Sequence, residues 1–317
     1  MRGALLGALV LTAQGCATAN AETFATPERV SAEQVLPGFE PLRRTGNQVD
    51  LYARQIRWNG GLLPDAFDAL SSRLADVSLV ITDARGRDTV LAADGLQWLS
   101  TSPTRAEYEA STRFESLVVH LRAAVEYDGV VDITMSLTPS SPVEIRGLRV
   151  ESRVHTTDYS EVLGFRAEGI RKQKDRKDFL SLPYRGEFVH AVTVADGNRS
   201  FWWFADNNRG WKRAGNAPVT EVLKGADHIT IRQHVVAGRQ RLRQPTQLRF
   251  GLLATPVRPI EPERRVRHAT AKGHSRKERD MGTAYKIWWP TALAYDAYPY
   301  TSYADDRASR LEPSERK

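Results

Sequence analysis

The sequence predicts an all-β protein, a large antiparallel β-sandwich. Three features predict it: a two-residue hydrophobic period through the middle of the chain, many short segments of that kind separated by turn residues, and few stretches with helical spacing. At 317 residues and 41% hydrophobic content, the chain is long enough for one large domain or two smaller ones with a real core.

The clearest alternation begins at Val119. Val119, Leu121, Ala123, Val125 and Tyr127 fall on one parity, with His120, Arg122 and Glu126 on the other. After Asp128-Gly129 the pattern resumes, with Val131, Ile133, Met135 and Leu137 apolar and Asp132, Thr134, Ser136 and Thr138 polar. A two-residue Asp-Gly turn would set Val125 against Asp132 and mix the faces. A three-residue loop, Tyr127-Asp128-Gly129, sets Val125 against Val131 and Leu121 against Met135. It also puts Gly129 where a left-handed residue is wanted, so the pattern predicts a type I turn with a glycine bulge.

Further strands are expected over 49–58, 77–82, 143–154, 188–194, 200–204, 229–236 and 247–255. Asp65 to Leu74 is ambiguous, because Pro64 could open a short helix there. Tyr159 to Tyr184 shows little alternation and many charges, which suits a long excursion from the sheet. The expected organisation is a leader over 1–21, a sandwich over 22–257, a charged linker over 258–284 and a short aromatic tail over 285–317.

The leader reading rests on Arg2, an apolar run from Ala4 to Ala13, and Ala19-Asn20-Ala21 as a small-residue cleavage site. The run is about half of the ~20 residues a membrane-spanning helix needs. An exported protein is expected, in the periplasm, secreted, or lipid-anchored in the envelope. The lone cysteine follows Ala13-Gln14-Gly15, leaving two readings open: lipidation at Cys16, or cleavage after Ala21 that discards it.

A net charge of +7 attracts nucleic acid, anionic lipid or acidic polysaccharide, and export argues against nucleic acid. The excess is concentrated at Arg171, Lys172, Lys174 and Arg176 and again from Arg264 to Arg279, runs that read first as solvated loops or linkers.

The chain carries no phosphate-cradling glycine loop, no His-Glu-x-x-His motif and no Gly-x-Ser-x-Gly elbow. His228 and His234 share strand parity but stand about 20 Å apart at the usual rise, too far to share a metal. They read as ordinary surface or core-edge histidines, and no metal or cofactor is expected. Asn198-Arg199-Ser200 matches a glycosylation triplet that its neighbours explain as a turn. The most distinctive string runs from Phe201 to Trp211. One reading is a sugar platform in which Trp202, Trp203 and Trp211 stack on pyranose rings while Asp206, Asn207 and Arg209 bond hydroxyls. The other, which alternation favours, is a strand and tight turn whose aromatics fill the core.

Three strings carry a resemblance. Val125-Glu126-Tyr127-Asp128-Gly129-Val130-Val131-Asp132-Ile133-Thr134, then Trp203-Phe204-Ala205-Asp206-Asn207-Asn208-Arg209-Gly210-Trp211, then Phe250-Gly251-Leu252-Leu253-Ala254-Thr255-Pro256-Val257 occur in that order. Across roughly Val49 to Val257 the chain resembles the amino-terminal β-sandwich of proteins related to glycoside hydrolase family 123. The resemblance implies a supersandwich-like fold preceding a (β/α)₈ barrel. It also implies β-N-acetylgalactosaminidase-like chemistry, with an Asp-Glu pair on the barrel assisting the substrate's own acetamido group. This sequence has no Asp-Glu dipeptide, and its adjacent acidic pair, Asp305-Asp306, lacks the glutamic acid. The segment from Tyr285 resembles the approach to the first barrel strand, and a barrel needs about 250 residues. No catalytic residue is assigned. The expectation is a non-catalytic or catalytically truncated module for extracytoplasmic carbohydrate processing. Its implied partners are a glycan, a separately encoded catalytic barrel, or the membrane surface through a lipid anchor. Two alternatives remain: part of an active amino-sugar hydrolase, or a lipid-anchored envelope protein binding acidic glycans or headgroups.

Overall fold

A computed structural model describes residues 34–36, 38–155, 161–165, 180–196 and 198–259. The leader with Cys16, the basic run from Arg166 to Lys177, and nearly all of the expected linker and tail lie outside the described residues.

Among the described residues there are nineteen strands and no helix. In chain order they are β1 (Arg43–Thr45), β2 (Gln48–Leu51), β3 (Arg54–Arg57), β4 (Ala66–Ala69), β5 (Ser72–Asp83), β6 (Asp88–Val90) and β7 (Gly95–Thr101). There follow β8 (Arg105–Phe114), β9 (Leu117–Glu126), β10 (Val131–Pro139), β11 (Val143–His155), β12 (Glu161–Phe165) and β13 (Tyr184–Gly186). The last six are β14 (Ala191–Ala195), β15 (Ser200–Phe204), β16 (Lys212–Arg213), β17 (Thr220–Lys224), β18 (His228–Leu242) and β19 (Thr246–Ala254). One sheet runs β1-β2-β3-β4-β5-β11-β18-β17-β13, with β6 on β5 and β16 on β18; the other runs β12-β14-β15-β19-β10-β9-β8-β7. All pairings are antiparallel except the short β16–β18 contact. The all-β sandwich expected from alternation is the fold observed.

The core between the sheets is built by the parity read from the sequence. Val119, Leu121, Ala123 and Val125 on β9 face Leu137, Met135, Ile133 and Val131 on β10, and all eight are buried. The register is the expected one, and Gly129 has φ +87°, placing it in the left-handed region that the three-residue loop requires.

Elsewhere the structure departs from the sequence reading. The single strand expected over 49–58 is two, β2 and β3, folded back at Tyr52-Ala53, with Ala53 at φ +50°. The buried residues change parity there, from Val49 and Leu51 to Ile56 and Trp58, as a two-residue turn demands. The ambiguous stretch near Asp65 is also a hairpin, β4–β5, turning at Leu70 and Ser71, both with positive φ. A turn of this kind usually advertises itself with Asn-Gly, and Leu-Ser gives no such signal. Nine strands go beyond those expected, β7 and β8 the longest of them, and β12 lies within the stretch read as an excursion from the sheet. On β8 the inward residues include Ala106, Ala110 and Thr112, too small or polar to read as a hydrophobic stripe.

One buried charge joins the sheets. Arg54, at the start of β3, donates from Nη1 to the carbonyls of Asp128 and Ala254 at 2.8 Å each, and from Nη2 to that of Val257 at 3.3 Å. The hairpin loop of β9–β10 and the end of β19 belong to the second sheet, so a side chain of the first holds both. Burial lowers the guanidinium pKa to about 10, with Asp128 opposing the shift. Burial likewise raises the Asp128 carboxyl, against its bond from the Val130 amide and the charge of Arg54.

Candidate functional site

The aromatic string does not assemble into one surface. On β15, Phe201 and Trp203 enter the main core, while Trp202 lies on the opposite face of the sheet, beside its cross-strand partner Leu253 in a small cluster with Val257 that Phe39 packs against. Trp203 is fully buried, edge-on to Trp211 at 5.8 Å and stacked on Phe250 at 6.4 Å. Trp211 is half-buried against Phe188, at 5.3 Å. Asp206, Asn207, Asn208 and Arg209 stand exposed on the turn, where the Asn207 side chain accepts from the Arg209 amide. Trp202 and Trp203 thus present no stacking face to solvent, because strand alternation sends neighbouring indoles to opposite sides and each side is covered.

The outward face of the first sheet gathers more chemistry. Leu148, Val150 and Val154 of β11, and Ile231 and Val235 of β18, point into the core, so Arg149, Glu151, Arg153, Arg232 and His234 point out. Registers then align Ser78 of β5, Glu151 of β11, Arg232 of β18, Glu221 of β17 and Arg185 of β13 in one row across five strands. In the adjoining row Arg149 stands opposite His234.

Opposite charges alternate along the row and pair. Arg149 donates from Nη2 to Asp88 at 2.7 Å and from Nε to Glu151 at 3.0 Å, and Arg232 Nε donates to the same Glu151 oxygen at 2.8 Å. Glu221 lies 2.8 Å from His234 Nε2 and 3.2 Å from Arg185 Nε. The hydrogen bond with His234 holds the Glu221 carboxyl below its ordinary range despite burial. For Arg149, burial would lower the pKa, and the bonds to Asp88 and Glu151 outweigh it. Side-chain exposure of 10% for Glu221 and 17% for His234 shows these groups sunk into the face rather than waving from it. Such a surface can accept hydroxyl protons on its carboxylates and donate to oxygens from its guanidinium groups.

The sequence reading treated His228 and His234 as ordinary, and did not single out Glu151, Arg232, Glu221 or Arg185. The histidines bond different carboxylates, His228 to Asp227 and His234 to Glu221. Outward parity at 149, 151, 232 and 234 was legible; the juxtaposition of β11, β18, β17 and β13 was not.

The matched portion of the chain contains β5, β11 and β13 of this frame but neither β17 nor β18. Residues 68–214 match the glycoside hydrolase 123 third domain. The glycoside hydrolase 123 match contains two of the three strings that carried the resemblance, the β9–β10 hairpin and the run from Trp203 to Trp211, and stops before Phe250. The resemblance to that family is thereby borne out, with the matched domain described as its third rather than as its amino-terminal one. No curated protein matches the chain. Among solved structures, a putative aldose 1-epimerase from Escherichia coli K12 is similar at 10% identity, covering 68% of this chain and 98% of its own, with a TM-score of 0.39. A galactose 1-epimerase from Lactobacillus acidophilus NCFM gives 7%, 68%, 98% and 0.41 for the same quantities. A copper-containing benzylamine oxidase from Hansenula polymorpha gives 8%, 74%, 63% and 0.36. Similarities this remote transfer no chemistry, and the glycoside hydrolase 123 match alone bears on function.

Proposed function

We propose that the chain is a non-catalytic carbohydrate-engaging module of a glycoside-hydrolase-like protein, working outside the cytoplasm. The observation that carries the reading is the glycoside hydrolase 123 match over residues 68–214. The half-sunk row of guanidinium, carboxylate and imidazole groups on the first sheet supports it, because sugars are recognised by planar donors and acceptors fixed on a rigid scaffold. Export is supported by Arg2, the apolar run to Ala13 and the Ala19-Asn20-Ala21 site, with the chain either lipid-anchored at Cys16 or released after Ala21. The absence of any Asp-Glu dipeptide in the sequence supports a non-catalytic role.

Affinity electrophoresis of the full chain through gels containing neutral, amino-sugar and acidic polysaccharides tests the binding reading, which expects retardation by at least one. Migration unchanged in all of them removes it. The non-catalytic part expects no turnover of an aryl β-N-acetylgalactosaminide, and authentic release of the aryl group overturns that part. Fractionation of expressing cells expects the protein in the envelope or medium; retention in the cytoplasm removes the export reading.

A further inference from the structure

The charged row divides into groups that are tied and groups that have donors to spare. Arg149 commits all three of its guanidinium nitrogens, to Glu151, Asp88 and Thr82, and its side chain is 11% exposed. It braces the sheet. Arg232 commits only Nε, to Glu151, and its two terminal nitrogens bond no other described residue, at 32% exposure. Arg185, 63% exposed, approaches Glu221 through Nε alone. His234 uses Nε2 on Glu221, leaving Nδ1 without a partner among the described residues. Arg185 and Arg232 are both cross-strand neighbours of Glu221, one on each side. Two guanidinium edges and an imidazole nitrogen thus surround one carboxylate that is already held by its own partners.

We propose that this part of the face is a receptor for a carboxylate-bearing sugar, a uronic acid unit of an acidic glycan. Its carboxylate would be taken by the free edges of Arg232 and Arg185, and its hydroxyls by Glu221, Glu151 and His234. The proposal deepens the carbohydrate reading and rests on it. A planar guanidinium fork matches a carboxylate through two parallel hydrogen bonds. Phosphate suits the row less well. Cross-strand neighbours stand about 5 Å apart, so a dianion on Arg232 would lie close to both Glu151 and Glu221. A singly charged carboxylate with adjacent hydroxyls meets the same two acids with donors. A neutral sugar could use the acids but would leave the arginine edges to water.

Isothermal titration of the full chain with trigalacturonate, its fully methyl-esterified form, an N-acetylgalactosamine oligomer and inorganic phosphate tests this. The expected result is binding of the free acid, weakened by about tenfold in the ester, the loss of one charge-assisted fork. Arg232→Gln should weaken the acid by a similar factor and leave the ester unchanged. Because Arg232 also bonds Glu151, Arg185→Gln serves as the second variant, its side chain being 63% exposed and paired only through Nε. Equal binding of acid and ester, or acid binding indifferent to both substitutions, overturns the uronate site while leaving the carbohydrate reading intact. Phosphate that displaces the trisaccharide at equal concentration also overturns it, in favour of a general anion site. If no saccharide binds at all, both this site and the reading beneath it fall.

Discussion

Replacing Arg54 with methionine removes the charge that joins the two sheets while keeping most of the apolar stem. Three carbonyls of the second sheet, on Asp128, Ala254 and Val257, lose their donor. Buried acceptors left unsatisfied cost about 1–3 kcal/mol each, or roughly 5 in sum. Against this, burial has already lowered the guanidinium pKa to about 10, a penalty on the charged form of order 3 kcal/mol that the substitution gives back. Arg54→Met should therefore destabilise by about 2 kcal/mol. Gly129 is coupled to the same group: its φ is +87°, and a Cβ there would fall on Arg54 Nη1. Gly129→Ala should cost about 1–2 kcal/mol from the left-handed backbone. Expelling the guanidinium should add about 2 more, and that second part should vanish in the Arg54→Met background. Urea unfolding of the four proteins, followed by near-ultraviolet circular dichroism, measures the cycle. A coupling of about 2 kcal/mol is expected; additivity within about 0.5 kcal/mol refutes the latch.

Leu121→Ala, in the centre of the β9–β10 pair and fully buried, should cost about 3 kcal/mol in the same urea assay, and a loss under 1 kcal/mol would contradict the packing described. Gly210 has φ +83°, and a Cβ there would run into the Gln247 carbonyl, a backbone atom that cannot swing aside. Gly210→Ala should lower Tm by several degrees and perturb the Trp211 fluorescence, and an unchanged spectrum would count against the turn. Glu221 has a folded pKa below its ordinary 4.5, so as pH falls through that region the unfolded chain takes up its proton first and stability drops. Glu221→Gln should flatten this acid limb, and the same slope in both proteins below pH 4.5 would show that the pair with His234 contributes nothing.

Local chemistry wrote the β9–β10 hairpin in full. Alternation named its buried residues, and parity across Asp128-Gly129 decided the loop length and therefore the register. The same rule could have divided Val49 to Trp58, since its apolar residues change parity at Tyr52-Ala53. The turn at Leu70-Ser71 was hidden because the left-handed conformations there are held by the paired strands rather than requested by glycine or asparagine. The burial of Trp202 and Trp203 was hidden for a related reason. Alternation already separated Trp202 from Trp203, but only the fold shows that both faces of β15 are covered.

By itself the sequence determined the class of fold, the orientation of side chains within each strand and the family resemblance, because a two-residue period is a property of the local backbone. It did not determine which strands lie side by side. Arg185, Glu221, Arg232 and Glu151 are spread over dozens of positions, and hydrogen bonding between β13, β17, β18 and β11 brings them into one row. Arg54 likewise reads as an ordinary surface arginine until the end of β19, some 200 residues away, closes over it and supplies the carbonyls that hold its charge. Contacts of that range depend on the tertiary arrangement of the sheets, which no local pattern encodes.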